Sequence, residues 1–362
     1  MHLNQEIIQI ANHFQTQGLI TQASMHGSGN INDTYLVISD EGISYILQKV
    51  NTDIFTAPEH VMQNMCIVTQ HIQHHIHTQK LLWKTQHVIL TTDQKDHFST
   101  EGGSFWRMIS FIKESKSFDI IDSHHRAFQL GKALGLFHAL MDDLPKEHIR
   151  PIIEDFHIAP NYLKQYEEAC LSSSKAGGTL QDLAHRLIEK HKSHISLLED
   201  AKAAGTLPLR IIHGDPKINN IMFDVKSDNA ISMIDLDTVQ LGLLHYDIGD
   251  CARSSCNPWG EEEQESWKEV QFDTEGFRYL WRGYLSKTHQ LFSAAEYDSV
   301  YDALFILAFE TGLRFFTDYL NGDTYFKTHY PENNLYRGLV QFMLAESIHN
   351  QRDILQKIIS EE

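Results

Sequence analysis

Apolar and polar positions change period along the chain, and the changes divide it. Residues 2–17 carry Leu3, Ile7, Ile10 and Phe14 at helical spacing, which predicts an opening helix. Short extended runs follow at 34–39, 44–50, 87–92 and 104–111. Asp40-Glu41-Gly42 and Glu101-Gly102-Gly103 have the turn chemistry of hairpins. One helical stretch, 58–78, interrupts the strands, with Pro58 acceptable in its first turn. From residue 122 the period becomes 3.6: Leu130, Leu134, Phe137 and Met141 stripe one face, and 180–203, 262–289, 294–320 and 334–360 read as helices. The exception is 208–240, where LPLRII reads as a strand and NIMFD and ISMID flank Ser227-Asp228-Asn229 as a hairpin. The pattern predicts an α+β protein of two lobes. A small N-terminal lobe with an antiparallel sheet covers 1–110, and a larger, mainly helical C-terminal lobe with one embedded hairpin covers 111–362.

Composition narrows the class of protein. The chain of 362 residues is 42% hydrophobic and 22% charged, the make-up of a folded globular protein long enough for two cores. No apolar run approaches the roughly 20 residues of a bilayer span. The opening MHLNQEIIQIANHF lacks the basic and apolar regions of a signal peptide, so a cytoplasmic protein is expected. Cys66, Cys170, Cys251 and Cys256 form no CxxC pair and are expected as free thiols. The net charge of -18 repels phosphate backbones and anionic lipid, which argues against nucleic-acid and membrane partners. Handling a nucleotide in such a chain needs local cations or metal ions.

The embedded hairpin carries the sharpest chemical signal, HGDPKINN over 213–220 followed by SMIDLD over 232–237. A strand ending at Ile212 delivers Asp215 on a tight loop, Asn220 lies five residues later, and Asp235 ends the return strand. Oxygen donors gathered this way suit Mg²⁺ rather than a metal that prefers nitrogen or sulfur. Phosphoryl transfer needs an Asp to orient the attacking hydroxyl, oxygen ligands for the nucleotide's metal ion, and a cation near the γ-phosphate, for which Lys217 is placed. It requires no covalent nucleophile.

On His213, Asp215, Asn220 and Asp235, with YDIGD over 246–250 downstream, the sequence resembles the aminoglycoside phosphotransferase and choline-kinase-like superfamily. Within it, GSGNINDTY, YILQKVN, SFWRMISFI, IDLDT and ETGLRFFTDYLNGDTYFK are most similar to N-acetylhexosamine 1-kinase-like proteins. The resemblance implies a two-lobed protein-kinase-like fold and an ATP- and Mg²⁺-dependent transfer of the γ-phosphate to a sugar hydroxyl. The anomeric hydroxyl of an N-acetylhexosamine is the implied acceptor. By position it implies Asp215 as catalytic base, Lys217 as a γ-phosphate contact, Asn220 and Asp235 as metal ligands, and Arg314 and Tyr325 as sugar-binding residues. An amino alcohol, homoserine, choline or aminoglycoside as acceptor, or a binding protein without turnover, are the competing readings.

Weaker signals admit two readings each. Gly27-Ser28-Gly29-Asn30 is either a plain turn or a loop whose Gly27 and Gly29 let backbone amides approach phosphate. In YILQKV, Gln48 and Lys49 face opposite ways, and charge favours Lys49 as the nucleotide contact. Arg314 sits in an apolar helical run and needs a polar partner, either Glu310 four residues earlier or a hydroxyl-rich ligand. Asp237 falls on the same strand face as Asp235 if that strand continues, and either touches the site or braces its loop. Asp247, Asp250 and Arg253 are expected to brace the catalytic loop by ion pairing, with a substrate or phosphate contact as the alternative for Arg253. Of His71, His74, His75 and His77, 71/74 and 71/75 share a helix face, which reads as a solvated polar face or as a pair of transition-metal ligands.

Overall fold

In the computed structural model, which describes residues 2–27, 31–175, 177–262 and 267–361, the chain forms two compact units. The first gathers Met1–Ser115 with two later segments, Asp143–Ile153 and Ile234–Gln240. The second holds Lys116–Asp142, Glu154–Met233 and Leu241–Glu362. Among the described residues no helix is long and apolar enough to cross a membrane.

The first unit opens with α1 (His2–Ala11), shorter than the apolar spacing over 2–17 predicts. Asn12 explains the early stop. Its side-chain amide donates to the Ile8 carbonyl at 2.9 Å, and its oxygen accepts the Ile20 amide at 2.9 Å. That second bond starts β1 (Ile20–Met25), whose exposed, polar sequence hid it from the pattern analysis. Then come β2 (Asp33–Ser39), β3 (Ser44–Val50), α2 (Pro58–Gln79), β4 (Val88–Ile89), β5 (Phe98–Ser99) and β6 (Phe105–Ser110), after which the two-residue β7 (Ser115–Lys116) leads out of the unit. The antiparallel sheet runs β1-β2-β3-β6-β4, with β5 on β6. Both expected hairpin turns form: Gly42 donates to Ser39 and Gly103 to Thr100, each glycine at positive φ.

Strand alternation gives the sheet two different faces. On one, Tyr45, Leu47, Trp106 and Met108 pack beneath Ile7 and Ile10 of α1. On the other, Val50 and Phe105 pack with Phe55, Val61 and Met62. Asn64 of α2 draws both returning segments in, because its amide nitrogen donates to the carbonyls of Arg150 (2.8 Å) and Val239 (2.9 Å).

The second unit contains α3 (His124–Met141), α4 (Ala159–Ser172), α5 (Thr179–His191), α6 (Leu197–Ala203), β8 (Arg210–Ile212), β9 (Ile221–Asp224) and β10 (Ala230–Met233). After β11 (Gln240–Gly242) come α7 (Leu244–Ser255), α8 (Thr274–Thr288), α9 (Ala294–Asp298), α10 (Val300–Leu320), α11 (Asn333–Asn350) and α12 (Arg352–Glu361). Three stretches predicted as single helices are broken. A 3-10 turn at Lys192–His194 separates α5 from α6, Ser299 separates α9 from α10, and Gln351 separates α11 from α12. Of the helix expected from 262, residues 263–266 lie outside the described residues, Trp267–Glu269 form a 3-10 turn, and α8 starts at Thr274, where Asp273 accepts the Gly276 amide at 2.9 Å as its N-cap. The core forms around α10, apolar and buried along most of its length. Helices α3 and α8 meet backbone to backbone. A Cβ on Gly131 would stand 1.8 Å from the Leu280 carbonyl oxygen, and one on Gly283 2.0 Å from that of Phe128.

Candidate functional site

In the second unit, β8 ends at Ile212 and the chain turns through His213–Lys217 into a 3-10 turn at Ile218–Asn220 before β9. Gly214 takes φ +84°, a left-handed conformation that lets the turn close sharply. The loop is held from behind by Asp247 of α7, whose Oδ2 accepts the His213 amide at 2.7 Å and whose Oδ1 accepts the Gly214 amide at 2.8 Å. His138 of α3 stands 2.8 Å from Asp247 Oδ2 and 2.8 Å from the Tyr284 hydroxyl. Burial pushes the Asp247 carboxyl up, but His138, His213 and the loop amide outweigh it and hold it below the usual carboxylate range.

Asp215 projects from this braced turn with its side chain 28% exposed. The Lys217 ammonium lies 2.6 Å from its Oδ2, and the Asn220 amide donates to the same oxygen at 3.1 Å and to the Asp215 carbonyl at 2.8 Å. Burial raises the Asp215 carboxyl, yet Lys217, His213 and Asn220 lower it on balance, so the group is an ionised proton acceptor near neutral pH. Because Asn220 spends only its nitrogen here, its Oδ1 accepts no hydrogen bond among the described residues and is available to a hard cation.

The segment after β10 belongs to the first unit and corrects two expectations. The return strand stops at Met233, so Asp235 does not end it. Asp235 instead stands at φ 62° and ψ 59°, a left-handed residue that opens the 3-10 turn Leu236–Thr238. The strand does not continue to Asp237 either, and Asp237 braces the loop. It is 3% exposed, its Oδ1 lies 2.6 Å from Arg107 Nη1, and its Oδ2 accepts from Asn32 at 2.7 Å. The Arg107 contact is a buried ion pair held by charge rather than by an aligned hydrogen bond.

Arg107 reaches back across the sheet and donates from Nε and Nη2 to Gln48 Oε1 at 2.9 and 2.7 Å. Gln48 donates in turn to the Thr34 hydroxyl at 3.0 Å. The structure therefore brings Gln48, not Lys49, into the chain of side chains that reaches the 234–240 segment. The reason is register: Gln48 pairs with Arg107, while Lys49 pairs with Trp106 on the face covered by α1. Gly27 sits at φ +76° at the end of β1 with open space where a Cβ would point, and Gly29 lies outside the described residues.

Arg314 and Tyr325 come together in the second unit. The Arg314 guanidinium stands over the rings of Phe156, Tyr162 and Phe326, 5.7, 5.3 and 5.7 Å from their centroids. Tyr325 is half exposed, and its backbone is fixed by Asp318, which accepts the Thr324, Tyr325 and Phe326 amides at 2.9, 2.8 and 3.0 Å. Glu310 is not the hydrogen-bonded partner of Arg314. It bonds His157 at 3.1 Å through Oε1, and its buried Oε2 has no hydrogen-bond partner among the described residues. Arg314 itself makes no hydrogen bond among the described residues, although Tyr162, Glu310, Tyr325 and Asp250 surround it electrostatically and raise its pKa against the effect of burial. Burial pushes the neighbouring Tyr162 up to about 12 despite Arg314.

A profile of the phosphotransferase enzyme family matches residues 23–284. The chain belongs to that family. It is a small-molecule phosphotransferase of the aminoglycoside phosphotransferase and choline-kinase-like superfamily. Solved structures share its fold at low identity. A microcompartment-associated aminopropanol kinase matches with TM-score 0.65 and 14% identity over 97% of this chain and 98% of its own. An aminoglycoside phosphotransferase from Alicyclobacillus acidocaldarius matches with TM-score 0.64 and 14% identity over 98% and 96%. Choline kinase from Cryptosporidium parvum matches with TM-score 0.61 and 14% identity over 98% and 97%.

Within this phosphotransferase, Asp215, Lys217 and Asn220 share one turn, as their spacing predicts. The brace is divided differently from expectation: Asp247 holds the loop amides, whereas Arg253 pairs with Asp250 and Glu261. Sequence reasoning missed His157 altogether. It lies in an irregular segment, itself at φ 61°, and bridges Glu310 to the carbonyl of Gly214 at 3.1 Å. Both its ring nitrogens face oxygen acceptors, so both donate only as the imidazolium. Burial lowers its pKa, but Glu310 and Asp250 raise it overall. No local pattern marks such a residue, because its partners lie 57 and 153 positions away.

Proposed function

We propose that this phosphotransferase transfers the γ-phosphate of ATP to a hydroxyl of a sugar, the anomeric hydroxyl of an N-acetylhexosamine. The observation that carries the sugar reading is Arg314, a cation with no hydrogen bond of its own among the described residues, set against three aromatic rings. Its N–H groups suit the hydroxyl and amide oxygens of a neutral acceptor. They disfavour an ammonium, which would compete for the same rings against a fixed positive charge. Tyr325 adds an exposed phenol on the same wall.

In this reading Asp215 accepts the proton of the attacking hydroxyl, and Lys217 offers its ammonium to the transferring phosphoryl group. Asn220 through Oδ1 and Asp235 through its carboxylate keep the metal-ligand roles, and their oxygen chemistry suits Mg²⁺, which would neutralise phosphate charge when bound. Gly27 leaves its backbone open to phosphate. Lys49 is left out because its face lies under α1.

A second reading, an amino alcohol acceptor, has in its favour Glu310 Oε2, which accepts no hydrogen bond among the described residues and could accept one from an ammonium. The test is ADP release above a no-acceptor blank with ATP, Mg²⁺ and a panel of sugars and amino alcohols. Sugar-dependent release supports the proposal, and release only with amino alcohols replaces it with the second reading. No release with any acceptor leaves a nucleotide- or sugar-binding protein. With the active acceptor, Asp215→Asn is expected to lower turnover by roughly 10²–10⁴-fold while nucleotide affinity stays near wild type.

A further inference from the structure

We propose that His71, His75 and Asp143 form a binding site for a divalent transition-metal ion of the zinc class. The ion would be held through two imidazole Nε2 atoms and one carboxylate oxygen. His71 and His75 lie one turn apart on α2, and Asp143 begins the later segment that packs into the same unit. The two Nε2 atoms are 3.2 Å apart, and they lie 2.9 and 3.2 Å from Asp143 Oδ1. Ligand atoms of a tetrahedral zinc ion stand roughly 3.3 Å apart when its bonds are about 2.0 Å long, so the three atoms already have the spacing of one face of that tetrahedron.

A solvated helix face would explain the two histidines alone. It does not explain why a carboxylate from a distant segment meets both at one oxygen. The imidazoles are mostly shielded, with side chains 18% and 12% exposed, which limits their freedom before any ion arrives. Asp143, 64% exposed, leaves the open side to solvent, where water completes the coordination.

The chemistry of the donors selects the ion. Two nitrogens and one oxygen favour Zn²⁺, Co²⁺, Ni²⁺ or Cu²⁺, whereas Mg²⁺ and Ca²⁺ prefer all-oxygen sets. The site is thus distinct in kind from the magnesium ligands proposed above. Burial raises the Asp143 carboxyl, but both histidines lower it on balance, so it is an anionic ligand near neutral pH. Metal on Nε2 requires the proton on Nδ1. For His75 the Gln79 amide nitrogen stands 2.7 Å from Nδ1, and turning the amide over puts its oxygen there to accept that proton. A bound ion would cross-link α2 to the Asp143–Ile153 segment, which Asn64 holds at Arg150.

The test titrates the chelator-stripped full chain with Zn²⁺ by calorimetry in excess Mg²⁺, and follows Co²⁺ binding by its visible spectrum. One ion per chain is expected, with affinity at least tenfold weaker in His75→Ala and in Asp143→Asn. Phosphotransferase turnover in both variants is expected to stay near wild type. If either variant loses its circular dichroism, the wild-type Co²⁺ spectrum decides: four-coordinate intensity that saturates at one ion per chain and is displaced by Zn²⁺ supports the site. Equal affinity in folded variants and wild type, or a wild-type spectrum of six-coordinate Co²⁺, overturns it.

Discussion

Two buried carboxylates hold two loops, the one that carries Asp215 and the one that carries Asp235, and they do so by different physics. Asp247, in the second unit, is fully buried and spends its oxygens on the His213 and Gly214 amides and on His138. Asp237, in the first unit, is nearly as buried and faces the guanidinium of Arg107 and the amide of Asn32. Backbone donors lie in fixed directions, so Asp247 dictates the path of the loop that carries Asp215. A guanidinium is a diffuse charge on a long stem, so Asp237 fastens its segment to the sheet without dictating dihedral angles. Losing the first should damage geometry and hence turnover, and losing the second should damage stability.

The sharpest break in that comparison is Arg107→Ala, which strands Asp237 as a buried uncompensated charge. A loss of about 3–5 kcal/mol is expected in urea unfolding. A loss below about 1 kcal/mol would show that water replaces the guanidinium, and the contrast would fail. Next is Asp247→Asn, which keeps the shape but turns one acceptor into a donor facing a loop amide. About 2–3 kcal/mol of stability should go, and turnover should fall more than in a second-unit variant matched to it in measured stability.

Replacing both partners sharpens the point. Arg107→Met with Asp237→Leu removes the charge together with its cost. This double variant should fall only about 1–2 kcal/mol below wild type, since buried pairs are often matched by apolar residues, although Gln48 and Asn32 lose partners. The smallest effect is in pH. The Asp247 carboxyl is held below its unfolded value, so its contribution is fully present above about pH 3.9 and is lost as pH falls through the folded value. The stability gap between wild type and Asp247→Asn should therefore narrow in acid melts below about pH 4. A gap independent of pH would show that Asp247 acts through shape alone.

Local chemistry was legible and distant partnership was not. Asp215, Lys217 and Asn220 lie within six positions, so a strand, a tight turn and a second strand bring them together wherever the rest of the chain goes. Helix α7 was invisible because LHYDIGDCARSS has no clean apolar stripe, yet nearly all of it is buried, its polar residues turned toward partners elsewhere in the chain. The choice between Gln48 and Lys49 was equally closed to inspection, since charge favoured Lys49 and only the register against β6 shows which residue meets Arg107.

By itself the amino-acid sequence determined the periods, the two kinds of lobe and the spacing of the turn that carries Asp215, because each depends on neighbours a few bonds apart. Tertiary structure decided that segments 143–153 and 234–240 pack with the N-terminal sheet, that Arg314 faces aromatic rings while Glu310 turns to His157, and that two histidines meet Asp143. Those outcomes depend on which buried polar groups find partners. A buried charge or amide is satisfied by whatever the folded chain brings within about 3 Å, and that distance carries no record of separation along the sequence.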